Sequence, residues 1–130
     1  MRIACIAVLA AAFLTGCASA QAPAAKAIDD TEPDVTQQVA AILGRTAQGS
    51  LAAEPLTENA RATLDASRTQ RIAATLHSCR ELNALELLER RTKGEERQYL
   101  YRAPCAGQPL LVEIWFGKGA RISHLNVRPQ

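Results

Sequence analysis

The feature that most restricts the fold of this chain is a change in the spacing of its apolar residues. Up to about residue 78, apolar side chains recur three or four positions apart, as do Val35, Val39 and Leu43. Beyond it, apolar and polar residues alternate in four stretches: "ELNALELLER", "RQYLYRAPC", "PLLVEIWF" and "RISHLNV". Helical spacing predicts amphipathic helices, and alternation predicts strands with one buried face. The sequence therefore predicts N-terminal helices followed by strands, which is an α+β fold.

Polar residues and glycines separate the elements within each half. Thr57 is a favourable N-cap and predicts a helix start, and a break in the stripe that follows is expected near Ser67. Two Lys-Gly pairs lie between strand candidates: Lys93-Gly94 and Lys118-Gly119. Glycine at the second position suits tight primed turns, so both pairs predict two-residue hairpins. We expect a four-strand antiparallel meander with the helices packed on it, over residues 34–130.

The first residues have the pattern of an export signal. A short positive start precedes an apolar run that is too short for a membrane span of about 20 residues. The run ends in Leu14-Thr15-Gly16-Cys17, which resembles the lipobox of bacterial lipoproteins. In that family the cysteine thiol is acylated and the chain is cut just before it. A competing interpretation is an A-x-A site at 18–20, which would release a soluble chain that begins at Gln21.

The lipobox implies residues 1–16 as signal peptide and residues 17–33 as a lipidated, flexible tether rich in alanine and proline. Two or three acyl chains hold a protein firmly on a bilayer, whereas one holds it only marginally. Ala18 follows the cysteine, as in lipoproteins sorted to the outer membrane in Gram-negative bacteria. We therefore expect a cell-envelope protein anchored on the periplasmic face of the outer membrane. The alternative cleavage implies a periplasmic or secreted soluble protein.

The cysteines fit this export prediction. Cys5 is discarded with the signal and Cys17 is consumed by lipid, so Cys79 and Cys105 remain in an oxidising compartment. We expect them to form a disulfide; the alternative is two unpaired buried thiols. A two-residue turn at Lys93-Gly94 places Cys105 opposite Leu82, three residues from Cys79. The chain must therefore bend back between the last helix and the first strand for the cysteines to meet.

Three segments carry a family resemblance: "PLTENARATL", "LNALELLERRTKGEERQYLYR" and "LLVEIWFGKGARISHLNV". Their order resembles the nuclear transport factor two-like cone fold, which also houses ketosteroid isomerase and limonene epoxide hydrolase, over residues 35–128. The resemblance implies a curved, cone-like sheet whose mouth can hold a small molecule. The isomerase also needs a carboxylate base, a tyrosine and a second acid in the pocket. Here both tyrosines, Tyr99 and Tyr101, lie in one strand candidate, and none of the four strand candidates contains an aspartate. No catalytic residue is therefore carried over.

Glu113 and His124 are the weak catalytic candidates, since a carboxylate beside an imidazole can orient a general base. A two-residue turn at 118–119 predicts that Glu113 pairs with His124 and Trp115 with Ile122. The opposite side of the same strand is more apolar, so we expect the pair on the surface, although a bulge near Ser123 would change the facing. A surface pair of this kind contributes about 0.2–1 kcal/mol.

Other chemistries have little support in the composition. Lysine plus arginine total 15 against 13 acidic residues, and this near balance argues against nucleic acid as a partner. The two histidines, His77 and His124, have no close ligand spacing, so we expect no metal and no cofactor. No phosphate-binding glycine loop or nucleophile elbow is present.

The sequence favours a membrane-anchored lipoprotein whose domain binds a small ligand or an envelope partner, or assists another protein, without catalysis. The alternative is a small cone-fold enzyme, an isomerase or hydrolase, that acts on a small apolar ligand. A third hypothesis is an envelope assembly subunit with a large exposed apolar patch.

Overall fold

The computed structural model describes residues 25–130 of the chain. The helices are α1 (Pro33–Ala47), α2 (Glu58–Thr63) and α3 (Ala66–Leu76). The strands are β1 (Glu86–Lys93), β2 (Glu96–Ala103), β3 (Leu110–Phe116) and β4 (Ile122–Pro129). They form one antiparallel sheet in the order β1-β2-β3-β4. The predicted α+β class and the meander are therefore confirmed. The predicted signal peptide, with Cys5, and the predicted lipidation site Cys17 lie outside the described residues.

Side-chain caps set where the short helices begin. The hydroxyl of Thr57 accepts a hydrogen bond from the Ala60 amide at 3.1 Å, and the carboxylate of Asp65 accepts one from the Arg68 amide at 2.8 Å. Each cap satisfies an amide that has no partner within its own helix. The break between α2 and α3 falls at Leu64 and Asp65, two residues before the Ser67 near which it was expected, because aspartate starts the new helix.

The helices pack against one face of the sheet. Burial alternates along β3, where the residues that face the helices are Leu110, Val112, Ile114 and Phe116. They join Val39, Leu43 and other helical residues in a single core. Full burial of one such side chain contributes about 1.5–3 kcal/mol. No helix within residues 25–130 is long and apolar enough to cross a membrane.

The first strand begins later than its sequence pattern suggests. Ladder pairing starts at Glu86, opposite Arg102, whereas the alternation began at residue 81. The Cys79–Cys105 disulfide explains the difference, because its Cα atoms lie 4.4 Å apart. Residues 80–85 leave the ladder to make the bend that this bond requires. The predicted disulfide is present.

The turn between β3 and β4 is wider than the two-residue hairpin that was expected. A 3-10 turn occupies Lys118–Ala120, and the amide of Gly117 donates to the Arg121 carbonyl at 2.8 Å. The predicted register was therefore wrong. The structure pairs Phe116 with Ile122 and Trp115 with His124, and the register shifts between these two pairs. Ser123 is the extra residue on β4. This bulge places Ile122 in the core, where it is fully buried.

The segment predicted as a tether contacts the domain over its described part. We call residues 25–32 the strap. The amide of Ile28 donates to the Leu87 carbonyl of β1 at 2.8 Å. Arg102 donates to the Ala25 carbonyl at 2.7 Å, and Arg90 donates to the Thr31 hydroxyl at 2.7 Å. The strap therefore lies against β1 and the start of α1.

Candidate functional site

The second face of the sheet is turned away from the helices, and this outer face carries the acid–base pair that the sequence singled out. The side chains of Glu113 and His124 are 29% and 28% exposed. Nε2 of His124 lies 3.2 Å from Oε2 of Glu113. The residues are diagonal neighbours, because Glu113 is directly opposite Asn126. The contact therefore forms although the expected register was wrong.

Arg128 occupies the other oxygen of the Glu113 carboxylate. Nη1 of Arg128 donates to Oε1 at 2.5 Å. Partial burial raises the pKa of Glu113, but the hydrogen bonds from Arg128 and His124 outweigh this effect and hold the pKa below its usual value. The carboxylate is thus ionised and fully engaged near neutral pH. These properties suit a surface ion pair better than a general base, which needs a pKa near the working pH.

Trp115 borders two concave regions, one on the outer face and one at the edge of the sheet. Its ring stacks on that of His124, with centroids 4.2 Å apart and planes 30° apart. On the side towards β1, a depression of about 150 Å³ is lined by Trp115, Leu100, Gln98 and charged neighbours. Sites for small organic ligands usually measure about 300–1,000 Å³. This depression is too small for such a ligand.

The larger concavity lies at the other edge of the sheet. A cavity of about 500 Å³ is bounded by α2, Arg68 and the β4 residues Ser123, His124 and Leu125. A second cavity of about 310 Å³ is bounded by α3, Arg68 and the β4 residues Asn126 and Val127. Arg68 borders both, so the two cavities are neighbours along β4. We call the two together, between residues 123–127 of β4 and helices α2 and α3, the β4 groove.

Tyrosine side chains fill the space between the sheet and α1. Tyr99 and Tyr101 are 2% and 0% exposed. The hydroxyl of Tyr99 donates to Glu32 of the strap at 2.9 Å, and that of Tyr101 lies 3.1 Å from the Thr36 hydroxyl. Burial raises the pKa of both, and that of Tyr101 to about 12. The tyrosines are therefore neutral packing residues with satisfied hydroxyls.

The strap makes contacts that the sequence patterns did not predict. Glu32 also forms an ion pair with Arg90 of β1 at 2.9 Å, and Asp30 accepts a hydrogen bond from Thr36 at 2.6 Å. No apolar period marks residues 25–32, so the periodicity that located the helices and strands carried no signal for them. The Asp30–Thr36 pair, at the entry to α1, was the one local hint.

Other candidate groups within residues 25–130 are already occupied. The carboxylate of Glu54 is buried and bound by Arg45, and Cys79 is bonded to Cys105. Across the same residues, no three His, Cys, Asp or Glu side chains converge as a metal-binding group.

Comparison of the chain with protein-family models, with curated proteins and with solved structures found no match in any of the three.

Proposed function

We propose that this protein is a membrane-anchored envelope lipoprotein whose domain binds a partner or assists another protein and catalyses no reaction. The observation that carries the non-catalytic part is the state of Glu113. Its two oxygens are held by Arg128 and His124, on the face opposite the core. A base ready to accept a proton would instead be unpaired or aimed into an enclosed cavity.

The filled interior supports the same conclusion. In a cone fold the reaction chamber lies between the helices and the sheet, where burial can shift the pKa of a catalytic group. Here that space contains Tyr99, Tyr101, Phe116 and Ile114, each at most 2% exposed. Close packing of this kind stabilises a small domain, and an open chamber would remove part of that stabilisation. Curvature of the sheet into a cone, as the family resemblance implies, is part of the proposal.

The anchor is proposed from Leu14-Thr15-Gly16-Cys17 and the apolar run before it. Two or three acyl chains on Cys17 would hold the domain at the membrane surface, on the periplasmic face of the outer membrane. The Cys79–Cys105 disulfide supports export, because such bonds persist in oxidising compartments.

Mass spectrometry of the mature protein tests the anchor. We expect an N-terminal Cys17 that carries acyl chains and a protein that fractionates with membranes, whereas Cys17→Ser should abolish both properties. A mature chain that begins at Gln21 and stays in the soluble fraction would contradict the anchor.

Glu113→Gln tests the non-catalytic role, because it keeps the side chain's size and removes its charge. The variant should restore wild-type envelope integrity when it replaces the protein in a deletion strain. Glu86→Gln is the matched control, since Glu86 is also paired with an arginine on the outer face, at 2.6 Å. Failure of Glu113→Gln alone, with normal thermal stability, would favour the enzyme.

A further inference from the structure

We propose that the β4 groove binds an extended peptide segment that carries an acidic side chain, by adding that segment as a further strand next to β4. The proposal rests on the proposed binding role and adds the chemical class of the partner. Its grounds are the free edge of β4, an existing contact of the same kind at one end of that edge, and unpaired positive charge along the groove.

The register shows which backbone groups of β4 are free. Gln130 donates its amide to the Pro109 carbonyl at 3.0 Å, which makes this a hydrogen-bonded pair of the β3–β4 ladder. Such pairs alternate in antiparallel sheets, so the backbone groups of Leu125 and Val127 point away from β3, towards the groove. Within residues 25–130, neither amide has a backbone partner on that side. A row of free donors and acceptors is a template for another strand.

The chain already uses this edge where the groove begins. Ile122 donates to the Pro55 carbonyl at 2.8 Å, and Thr57 donates to the Ile122 carbonyl at 2.9 Å. The result is a parallel bridge between Leu56 and Ile122. Residues 55–57 then leave β4 to start α2, and the edge beyond Ile122 is left open. An incoming strand would continue the pattern that these residues begin.

The shape of the groove suits an alternating side-chain pattern. Leu64 and Ile72 contribute apolar surface on the helix side. The rim above them is polar. It carries Arg68 and Arg71, one helical turn apart on α3, and Glu96, which accepts a hydrogen bond from Ser123 at 3.0 Å. Successive side chains of a strand point in opposite directions. One set would contact the apolar floor, and the other would face the arginines.

The arginines select an acidic partner. Among the ion pairs of the described residues, none involves Arg68 or Arg71. A carboxylate between them would gain charge-assisted hydrogen bonds without displacing an existing pair. A second copy of this chain fits less well, because a two-fold dimer across β4 would bring each copy's arginines near those of the other. Main-chain pairing together with charge recognition is typical of peptide binding by strand addition.

Peptide selection tests the proposal. The mature full-length protein, in detergent micelles, is the target for a displayed library of random octapeptides. We expect enriched peptides to combine aspartate or glutamate with apolar residues at alternate positions. Affinity is measured from the fluorescence of Trp115, which is the only tryptophan of the chain and borders the groove. Binding should weaken as the salt concentration rises.

Two variants separate the groove from the rest of the surface. Arg68→Glu/Arg71→Glu should lower the affinity at least tenfold, whereas the control Arg80→Glu/Arg121→Glu makes the same charge change at residues that line neither cavity. Val127→Pro removes an amide that points into the groove, so it should also weaken binding. The fold should persist, since proline is tolerated on edge strands.

The proposal is overturned if no peptide is enriched, if enriched peptides lack acidic residues, or if both charge variants bind them equally. A concentration-dependent dimer that Val127→Pro disrupts would assign the edge to a second copy and would also overturn it. None of these results bears on acylation of Cys17 or on the Glu113→Gln variant. Failure of this proposal is therefore distinguishable from failure of the proposed function.

Discussion

Removal of the Cys79–Cys105 disulfide should lower the free energy of unfolding by about 3.5 kcal/mol. The bond joins residues 26 positions apart in the sequence. In the chain-entropy model, closing a loop of that length removes roughly 12 cal/mol/K from the unfolded chain, or about 3.5 kcal/mol at 25 °C. Domains of this size are usually stable by only about 5–15 kcal/mol. The bond therefore supplies a large share of the stability.

The position of the bond indicates what its loss does. Cys79 follows α3 and is 8% exposed, and Cys105 follows β2, so the closed loop contains the whole β1–β2 hairpin. The helical layer and the sheet are thus joined at one end. Cys79→Ala/Cys105→Ala removes the link and leaves no buried thiol or hydroxyl without a partner.

Urea denaturation, monitored by circular dichroism, measures the change in the free energy of unfolding. With a slope of about 1–3 kcal/mol per molar urea, the midpoint should fall by about 1.2–3.5 M in the double variant. Reduction of the wild-type protein should give the same shift, while the reductant should not change the midpoint of the double variant. A shift below about 0.5 M in both experiments would refute loop closure as the source of stability.

Three further outcomes are expected. Thr57→Ala, which removes the cap on the Ala60 amide, should cost about 1 kcal/mol in urea denaturation, and a cost below about 0.3 kcal/mol would contradict the cap. Because burial raises the pKa of both tyrosines, and that of Tyr101 to about 12, stability should hold up to about pH 10 and fall as the pH rises towards 12. Tyrosinate absorbance should follow the same course, and titration of both tyrosines near pH 10 in the folded protein would show that the interior is open to water. In wild-type protein, the stability from Glu113 should be lost as the pH falls from the ordinary glutamate pKa, about 4.3, through its lower folded value. Glu113→Gln should flatten this dependence of stability on pH. An unchanged dependence would argue against the ion pair.

Local patterns were informative wherever burial itself is periodic. The spacing of Val39 and Leu43 and the alternation along β3 follow from the need to bury one face of each element, so the α+β class was predictable. The disulfide was predictable because the export prediction accounted for the other two cysteines. The caps at Thr57 and Asp65 are equally local, and the second could have placed the helix break correctly.

The features that were missed depend on conformations or contacts that the local pattern does not specify. The β3–β4 turn contains Ala120 at a φ of 54°, a conformation in which glycine is usual. Nothing local marks that alanine, so the two-residue turn and the register derived from it were wrong. The strap depends on side chains that meet partners about 60 residues away, as Thr31 does with Arg90. The β4 groove also arises only when the helices and the last strand are brought together.

In the proposed lipid-anchored form, the strap would limit how far the domain can stand from a bilayer. If Cys17 carries the lipid, the chain between the anchor and the first docked residue, Ala25, is residues 18–24 and not residues 18–33. Seven residues extend to at most about 25 Å, whereas sixteen would extend to about 55 Å. The β1 edge would then be held close to the lipid headgroups. The β4 edge, three strand spacings or about 14 Å across the sheet, would lie on the side away from the lipid, where a partner can approach without crossing the lipid surface.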